Sequence, residues 1–269
     1  MNISKTLEKY VYSAPCFVFL NGKRYYFKIV EDEGHELVGD KLANICGINT
    51  TSDKIVLVNN EYYYLSYDLN NDGVYKDAGN MGITSLNLYD IWIMLEQTYP
   101  ELSKKLMEQL IRIFIFDSIL MFDDRHMFNF GVLSKGKKKD FYILDNEMIL
   151  NGFYDLFLKA KFSSEDKLDK YTDLDLAFDD MPDNMKSNLE MFEYFIATLG
   201  SEQYPLVLDI YYKLTPDVIE EALLEVHYEY NDVLGFDEIN EDLDLYKVNY
   251  ECITKILIER GLIDGQRIH

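Results

Sequence analysis

The sequence predicts an α+β protein in two lobes: a small antiparallel, β-rich N-terminal lobe with one inserted helix over residues 1–66, and a larger, mainly helical lobe over residues 67–269. Three observations predict it. Aromatic and β-branched runs near the N-terminus are joined by tight-turn residues. A single helical period interrupts them. Past a polar, glycine-containing stretch at 68–82, apolar residues recur at three- and four-residue steps instead of alternating. With 269 residues, 48% hydrophobic and 14% aromatic, the chain has the apolar surface to build such a core, which excludes a largely disordered polypeptide.

Residues 16–20 and 24–30 flank Asn21-Gly22, a pair that tolerates the positive φ angles of a two-residue hairpin turn. Residues 36–46 carry Leu37, Leu42, Ala43 and Ile45 at helical spacing and stop at Gly47. Residues 55–58 and 62–66, joined through Asn59-Asn60-Glu61, predict a second hairpin, so the order is β-β-α-β-β. From 101 to 122 the residues Leu102, Leu106, Leu110 and Ile113 form one apolar stripe on a long helix, and Asp117 continues it. Residues 131–134 and 140–144 predict a short hairpin around Gly136, and helices are expected over 187–199, 204–213, 216–230 and 243–260.

The formal charge of -22 repels phosphate backbones and anionic membrane surfaces, which argues against nucleic acid or membrane as a direct partner. The same field repels nucleotides, so a nucleotide site has to supply local cations. Cys16, Cys46 and Cys252 lack the short spacings of zinc or redox motifs, and no stretch approaches the ~20 apolar residues of a membrane span. A soluble protein of the reducing cytoplasm is the expectation.

The chemistry-bearing stretch is Phe122-Asp123-Asp124-Arg125-His126-Met127-Phe128-Asn129-Phe130-Gly131, followed by Leu144-Asp145-Asn146-Glu147. It falls where a long helix ends and a hairpin begins. Phosphoryl transfer asks for a carboxylate to orient the attacking hydroxyl and for oxygen ligands that hold magnesium against phosphates. Asp124, Asn129 and Asp145 are those residue types. A phosphate-binding lysine also needs a carboxylate to hold it, and Lys28, at the end of an aromatic strand, and Glu36, at the start of the next helix, fit. Each residue alone reads as a surface turn or a solvated strand end; their joint order on the right elements is what carries the reading.

These residues resemble the HipA-like kinase family, which shares the broad protein kinase and phosphoinositide kinase fold. The family's helix of the form Glu-x5-Leu-Ala-x3-Gly-Ile is matched by Glu36, Leu42-Ala43 and Gly47-Ile48. Its Phe-Asp, Asp-Arg-His-x-x-Asn-x-Gly and Asp-Asn elements are matched by Phe116-Asp117, Asp124 to Gly131 and Asp145-Asn146. The resemblance covers roughly residues 12–150. It implies ATP and Mg2+ as cofactors, Asp124 as catalytic base, Asn129 and Asp145 as metal ligands, and Lys28 as phosphate clamp with Glu36 as its partner. Leu65, Ser66 and Tyr67 are the implied adenine hinge, Ser13 and Ala14 lie in the implied phosphate loop, and His126 and Asp117 support the catalytic loop. A protein substrate, a neutralising partner protein and a growth-restraining toxin role are further implications.

Two departures from the family pattern stand out. Phe122 occupies a position where members often carry Asn, and Tyr12-Ser13-Ala14-Pro15 has no glycine for close approach to phosphates. The resemblance further implies a compact member, without the extra N-terminal subdomain expected of the full-length toxins. A phosphate added to Ser13 would compete electrostatically with ATP, so that residue is a candidate autophosphorylation switch. Asp68 to Gly73 begins like a calcium loop, but its twelfth position is Gly79 where a bidentate Glu is needed, so a solvated turn is expected. The tip with Lys135 and Lys137 to Lys139 and the acidic run 237–244 read as solvated faces. Three function classes remain: a serine/threonine protein kinase, a phosphotransferase acting on a small molecule or lipid headgroup, and a non-catalytic pseudokinase that binds partners.

Overall fold

In the computed structural model, residues 3–30, 34–51, 53–83, 88–122, 125–146, 148–150, 189, 192–193, 196–197, 199–230 and 233–264 are described. The chain starts with α1 (Ile3–Leu7) and a 3-10 turn (Glu8–Ser13), followed by β1 (Cys16–Leu20), β2 (Lys23–Ile29), α2 (His35–Ile45), β3 (Ile55–Val58) and β4 (Glu61–Tyr67). These four strands form an antiparallel sheet in the order β1-β2-β4-β3. Both expected hairpins are present, and their turns show why: Asn21 and Gly22 have φ of 52° and 77°, and Asn59 and Asn60 have φ of 53° and 67°. Two consecutive positive φ angles give a turn whose twist matches the strands it joins.

Alternation along the strands buries both faces. Leu7, Val18, Leu20, Phe27, Val58, Tyr63 and Leu65 form one cluster, with the Phe27 and Tyr63 rings stacked at 4.6 Å. α1 covers that face, an element with no signal beyond Ile3 and Leu7. On the other face Ile55 and Tyr64 join the main core with Leu37, Val38 and Leu42 of α2. Because Phe27 and Lys28 are neighbours on β2, burying the ring beneath α1 turns the lysine toward α2.

The polar stretch after β4 contains a strand, β5 (Val74–Asp77), that its composition does not announce. After α3 (Leu88–Thr98) and α4 (Ser103–Ile119) come β6 (Phe130–Lys135) and β7 (Lys138–Ile143), and β5-β6-β7 make a second antiparallel sheet. Asp77 pairs with Gly131, and a side chain at Gly131 would overlap the backbone of Lys76 and Asp77. The glycine that ends the Asp-Arg-His-x-x-Asn-x-Gly pattern is thus required by the close approach of the paired strand β5.

The described C-terminal helices are α5 (Tyr204–Lys213), α6 (Pro216–Glu229) and α7 (Phe236–Glu259). The expected helix over 187–199 falls largely outside the described residues. α4 packs against α3, β7, α5 and α7 and buries Leu106, Leu110, Ile111, Ile113, Phe114, Ile115 and Phe116, so it is a central helix rather than one with a single apolar stripe. The acidic run 237–244 forms the first turns of α7, where Ile239 and Leu243 are buried and Asp242 meets His35 at 2.8 Å. All three cysteines are free; burial pushes the Cys46 thiol up to about 12. Among the described residues no helix is long and apolar enough to cross a membrane.

Candidate active site

Lys28 is where three distant segments meet. Its Nζ lies 2.6 Å from Asp145 Oδ1 and 3.5 Å from Glu36 Oε2, and over the Tyr64 ring at 5.5 Å. The expected Lys28 and Glu36 pair is therefore present, and the tighter contact is to Asp145, which the sequence separates from Lys28 by 117 positions. Glu36 stands in the first turn of α2, where Gly34, with φ of 91°, reverses the chain. Burial pushes its carboxyl well above the ordinary range, Asp53 adds to this, and Lys28 pulls the other way. Its Oε1 accepts a hydrogen bond from the Asn146 backbone N–H at 3.0 Å.

The stretch between α4 and β6 is organised by Arg125. Its Nε and one terminal nitrogen donate to the two oxygens of Asp117 at 3.0 Å each, a bidentate pair buried against α4. It also donates to the carbonyls of Asn129 at 3.2 Å and Leu144 at 2.9 Å, and to Asn146 Oδ1 at 2.9 Å. Asp117 thus meets the loop through Arg125, a residue to which the sequence assigned no task. His126 shapes the turn: its carbonyl accepts from Asn129 N–H at 2.9 Å, and its Nδ1 from Phe128 N–H at 3.1 Å. Asn129 is buried, and its carbonyl also accepts from Leu144 N–H at 2.7 Å, which ties it to the start of the Asp145 segment. Asp123 and Asp124 lie outside the described residues. Phe122, the departure from the family pattern, places its ring 4.2 Å from the Arg125 guanidinium carbon, so a cation–π contact occupies the place of a polar one.

Asp145 has φ of 56°, and Asn146 beside it is fully buried. The Asn146 Nδ2 donates to Asp40 Oδ1 at 3.0 Å and to Thr50 Oγ1 at 3.3 Å, and Thr50 in turn donates to Asp40. Gly39 on α2 packs on the same residue: an added Cβ would lie 2.5 Å from Asn146 Cβ. Asp40 and Thr50, which hold Asn146 here, were not singled out by sequence reasoning, and Arg125 and Asn146 were noted there only as parts of a motif, with no task. The available signal was Asp40, one helical turn after Glu36 and so on the same face of α2.

Of the implied hinge residues, Leu65 is buried beneath α1's side of the sheet and its N–H donates to the Lys54 carbonyl at 2.9 Å. Ser66 faces the Lys28 side and donates to Asp53 Oδ2 at 2.7 Å. Tyr67 spends its hydroxyl on Lys23 and Asp72, each at 2.8 Å. Ser13 ends the 3-10 turn and is exposed, and Ala14 follows it; because Cys16 pairs with Phe27, this segment enters the sheet beside Lys28. The calcium-like stretch is used up internally: Asp68 caps a 3-10 turn and pairs with Arg24, and Asp72 pairs with Lys135 at 2.9 Å. Among the described residues no group of three or more His, Cys, Asp or Glu is arranged to hold a metal, and the carboxylates beside Lys28 are those of Asp145 and Glu36.

No protein-family model and no curated protein matches the sequence. Among solved structures, the chain is similar to the Helicobacter pylori proinflammatory kinase CtkA, with a TM-score of 0.63 and 17% identity over 91% of this chain and 94% of that one. It is also similar to HipA of Shewanella oneidensis MR-1, solved with HipB and its operator DNA, with a TM-score of 0.57 and 15% identity over 93% of this chain and 64% of that one. This chain therefore matches less than two thirds of HipA. Likeness at such identities speaks for architecture: the chain shares the α+β kinase-like fold of these two proteins.

Proposed function

We propose that the protein is an ATP- and magnesium-dependent serine/threonine kinase of the HipA-like type that phosphorylates an intracellular protein. The observation that carries this reading is the convergence of Lys28, Glu36 and Asp145 from a strand, a helix and the end of a hairpin, at 3.5 and 2.6 Å. A chain of charge -22 needs a local cation to receive a triphosphate, and Lys28, positioned by Glu36, supplies one. Asn129 and Asp145 present carboxamide and carboxylate oxygens, the hard donors that magnesium takes when substrate phosphates complete its shell. The ion, when bound, would neutralise phosphate charge. Asp124 would orient the acceptor hydroxyl and take its proton; Leu65, Ser66 and Tyr67 would border the adenine, and Ser13 and Ala14 the phosphates.

The lobe division at residues 66 and 67, a cytoplasmic location and a growth-restraining toxin role belong to the same proposal. The solved HipA is bound to HipB, which supports a neutralising partner protein here. Phosphate transfer from labelled ATP in a cell extract, comparing wild type with Asp124→Ala, tests the reading. A labelled protein band is expected with wild type alone; equal labelling by both, or none by either, overturns it.

A further inference from the structure

Asp145 is a non-glycine residue held in the left-handed region, at φ of 56°. An L residue there is strained by order of 1 kcal/mol and persists only when its neighbours over-determine it. Its neighbours do so. Leu144 is held through both backbone groups, its N–H to Asn129 at 2.7 Å and its carbonyl to Arg125 at 2.9 Å. On the other side Asn146 is held by its N–H to Glu36 and by its carboxamide, whose oxygen takes Arg125 and whose Nδ2 gives to Asp40 and Thr50.

The orientation of that carboxamide is determined by Arg125, which can only donate and so takes Oδ1, leaving Nδ2 for Asp40 and Thr50. Asp40 itself is 6% exposed and its hydrogen-bond partners Thr50 and Asn146 are neutral, an arrangement that costs stability compared with an apolar side chain. A buried acid kept under those terms is accounted for by what it orients. α2 is in turn anchored away from the site: His35 meets Asp242, Lys41 meets Glu225 at 2.7 Å, and Gly34 packs against Val226 and Val233.

We infer that Asn146 is the positioning residue that couples α2 to the metal-holding end of the site: through Asp40 it makes the seating of α2 a condition for Asp145 to present its carboxylate beside Lys28. The inference rests on the kinase reading and adds a residue and a linkage to it. Residues that orient a metal ligand contribute about 10- to 100-fold to metal affinity. In the variant Asn146→Asp the Nδ2 donor to Asp40 becomes an oxygen beside a carboxyl that Asp53 already crowds electrostatically, while Arg125 still finds its acceptor. In the exchanged pair Asp40→Asn with Asn146→Asp, donor and acceptor swap sides and the contact is restored.

The test is calorimetric titration of MgCl2 into the full chain saturated with a non-hydrolysable ATP analogue, alongside binding of that analogue without metal and a thermal melt. For Asn146→Asp we expect a half-saturating Mg2+ concentration raised about tenfold or more, metal-free nucleotide binding unchanged, and recovery to near the wild-type value in the exchanged pair. A folded Asn146→Asp protein with wild-type Mg2+ demand, or an exchanged pair that recovers nothing, overturns the inference and leaves the kinase reading standing. A wild-type chain with no magnesium-dependent nucleotide binding overturns both. Where Asn146→Asp alone does not fold, recovery of the melt and of the Mg2+ demand by the exchange supports the contact, and failure of the exchanged pair to recover either refutes it.

Discussion

Arg125→Met is the perturbation for which the structure gives the fullest accounting. The methionine fills much of the aliphatic volume but donates no hydrogen bond, so Asp117 is left as a buried carboxyl without its bidentate partner. Breaking a buried pair by removing one member costs about 3–5 kcal/mol. The Leu144 carbonyl and Asn146 Oδ1 also lose a charged donor, at about 1–1.5 kcal/mol each, whereas the Asn129 carbonyl keeps Leu144 N–H. These contributions are not independent, so a loss of about 5 kcal/mol is expected, against a total stability typically of 5–15 kcal/mol. For a chain of this size that corresponds to a melting temperature lower by about 10–20 °C. Burial pushes the Asp117 carboxyl above its ordinary range while Arg125 opposes this, so replacing both members together removes the penalty as well as the pair. Urea denaturation followed through Trp92, the single tryptophan, over the cycle wild type, Arg125→Met, Asp117→Leu and both together should give a coupling energy of about 3 kcal/mol or more. A coupling near zero, or an Arg125→Met loss below about 1 kcal/mol, would refute the view that this pair holds the stretch between α4 and β6.

Two further predictions concern the same neighbourhood. Burial raises the carboxyls of Glu36, Asp40 and Asp53 above their unfolded values, with Asp53 raising the first two further. The folded chain then retains protons that the unfolded chain has released, so this contribution is fully present below about pH 4 and is lost as pH rises through the folded values. Stability should fall as pH rises above about 4, and Asp40→Asn should fall less steeply; parallel melting curves for the two proteins would remove the buried acids as the cause. Gly131→Ala would drive a methyl group into the β5 backbone and should cost about 1–3 kcal/mol. An unchanged melting temperature would mean that β5 does not approach Gly131 of β6 as described.

What the sequence by itself determined is what short-range chemistry controls. Asn21-Gly22 and Asn59-Asn60 specify their turns because few residues adopt two consecutive positive φ angles, and alternation places Phe27 and Lys28 on opposite faces wherever the strand goes. Lys28 and Glu36 were legible as partners because only eight positions separate a strand end from a helix start. β5 was not legible: Val74-Tyr75-Lys76-Asp77 is a strand because β6 pairs with it from more than fifty positions away. The same holds for the approach of Asp145 to Lys28 and for the carboxamide of Asn146 between Arg125 and Asp40. A residue pattern encodes which groups a segment can offer. Which groups meet across a hundred positions is decided by how helices and sheets pack, and only the tertiary structure contains that.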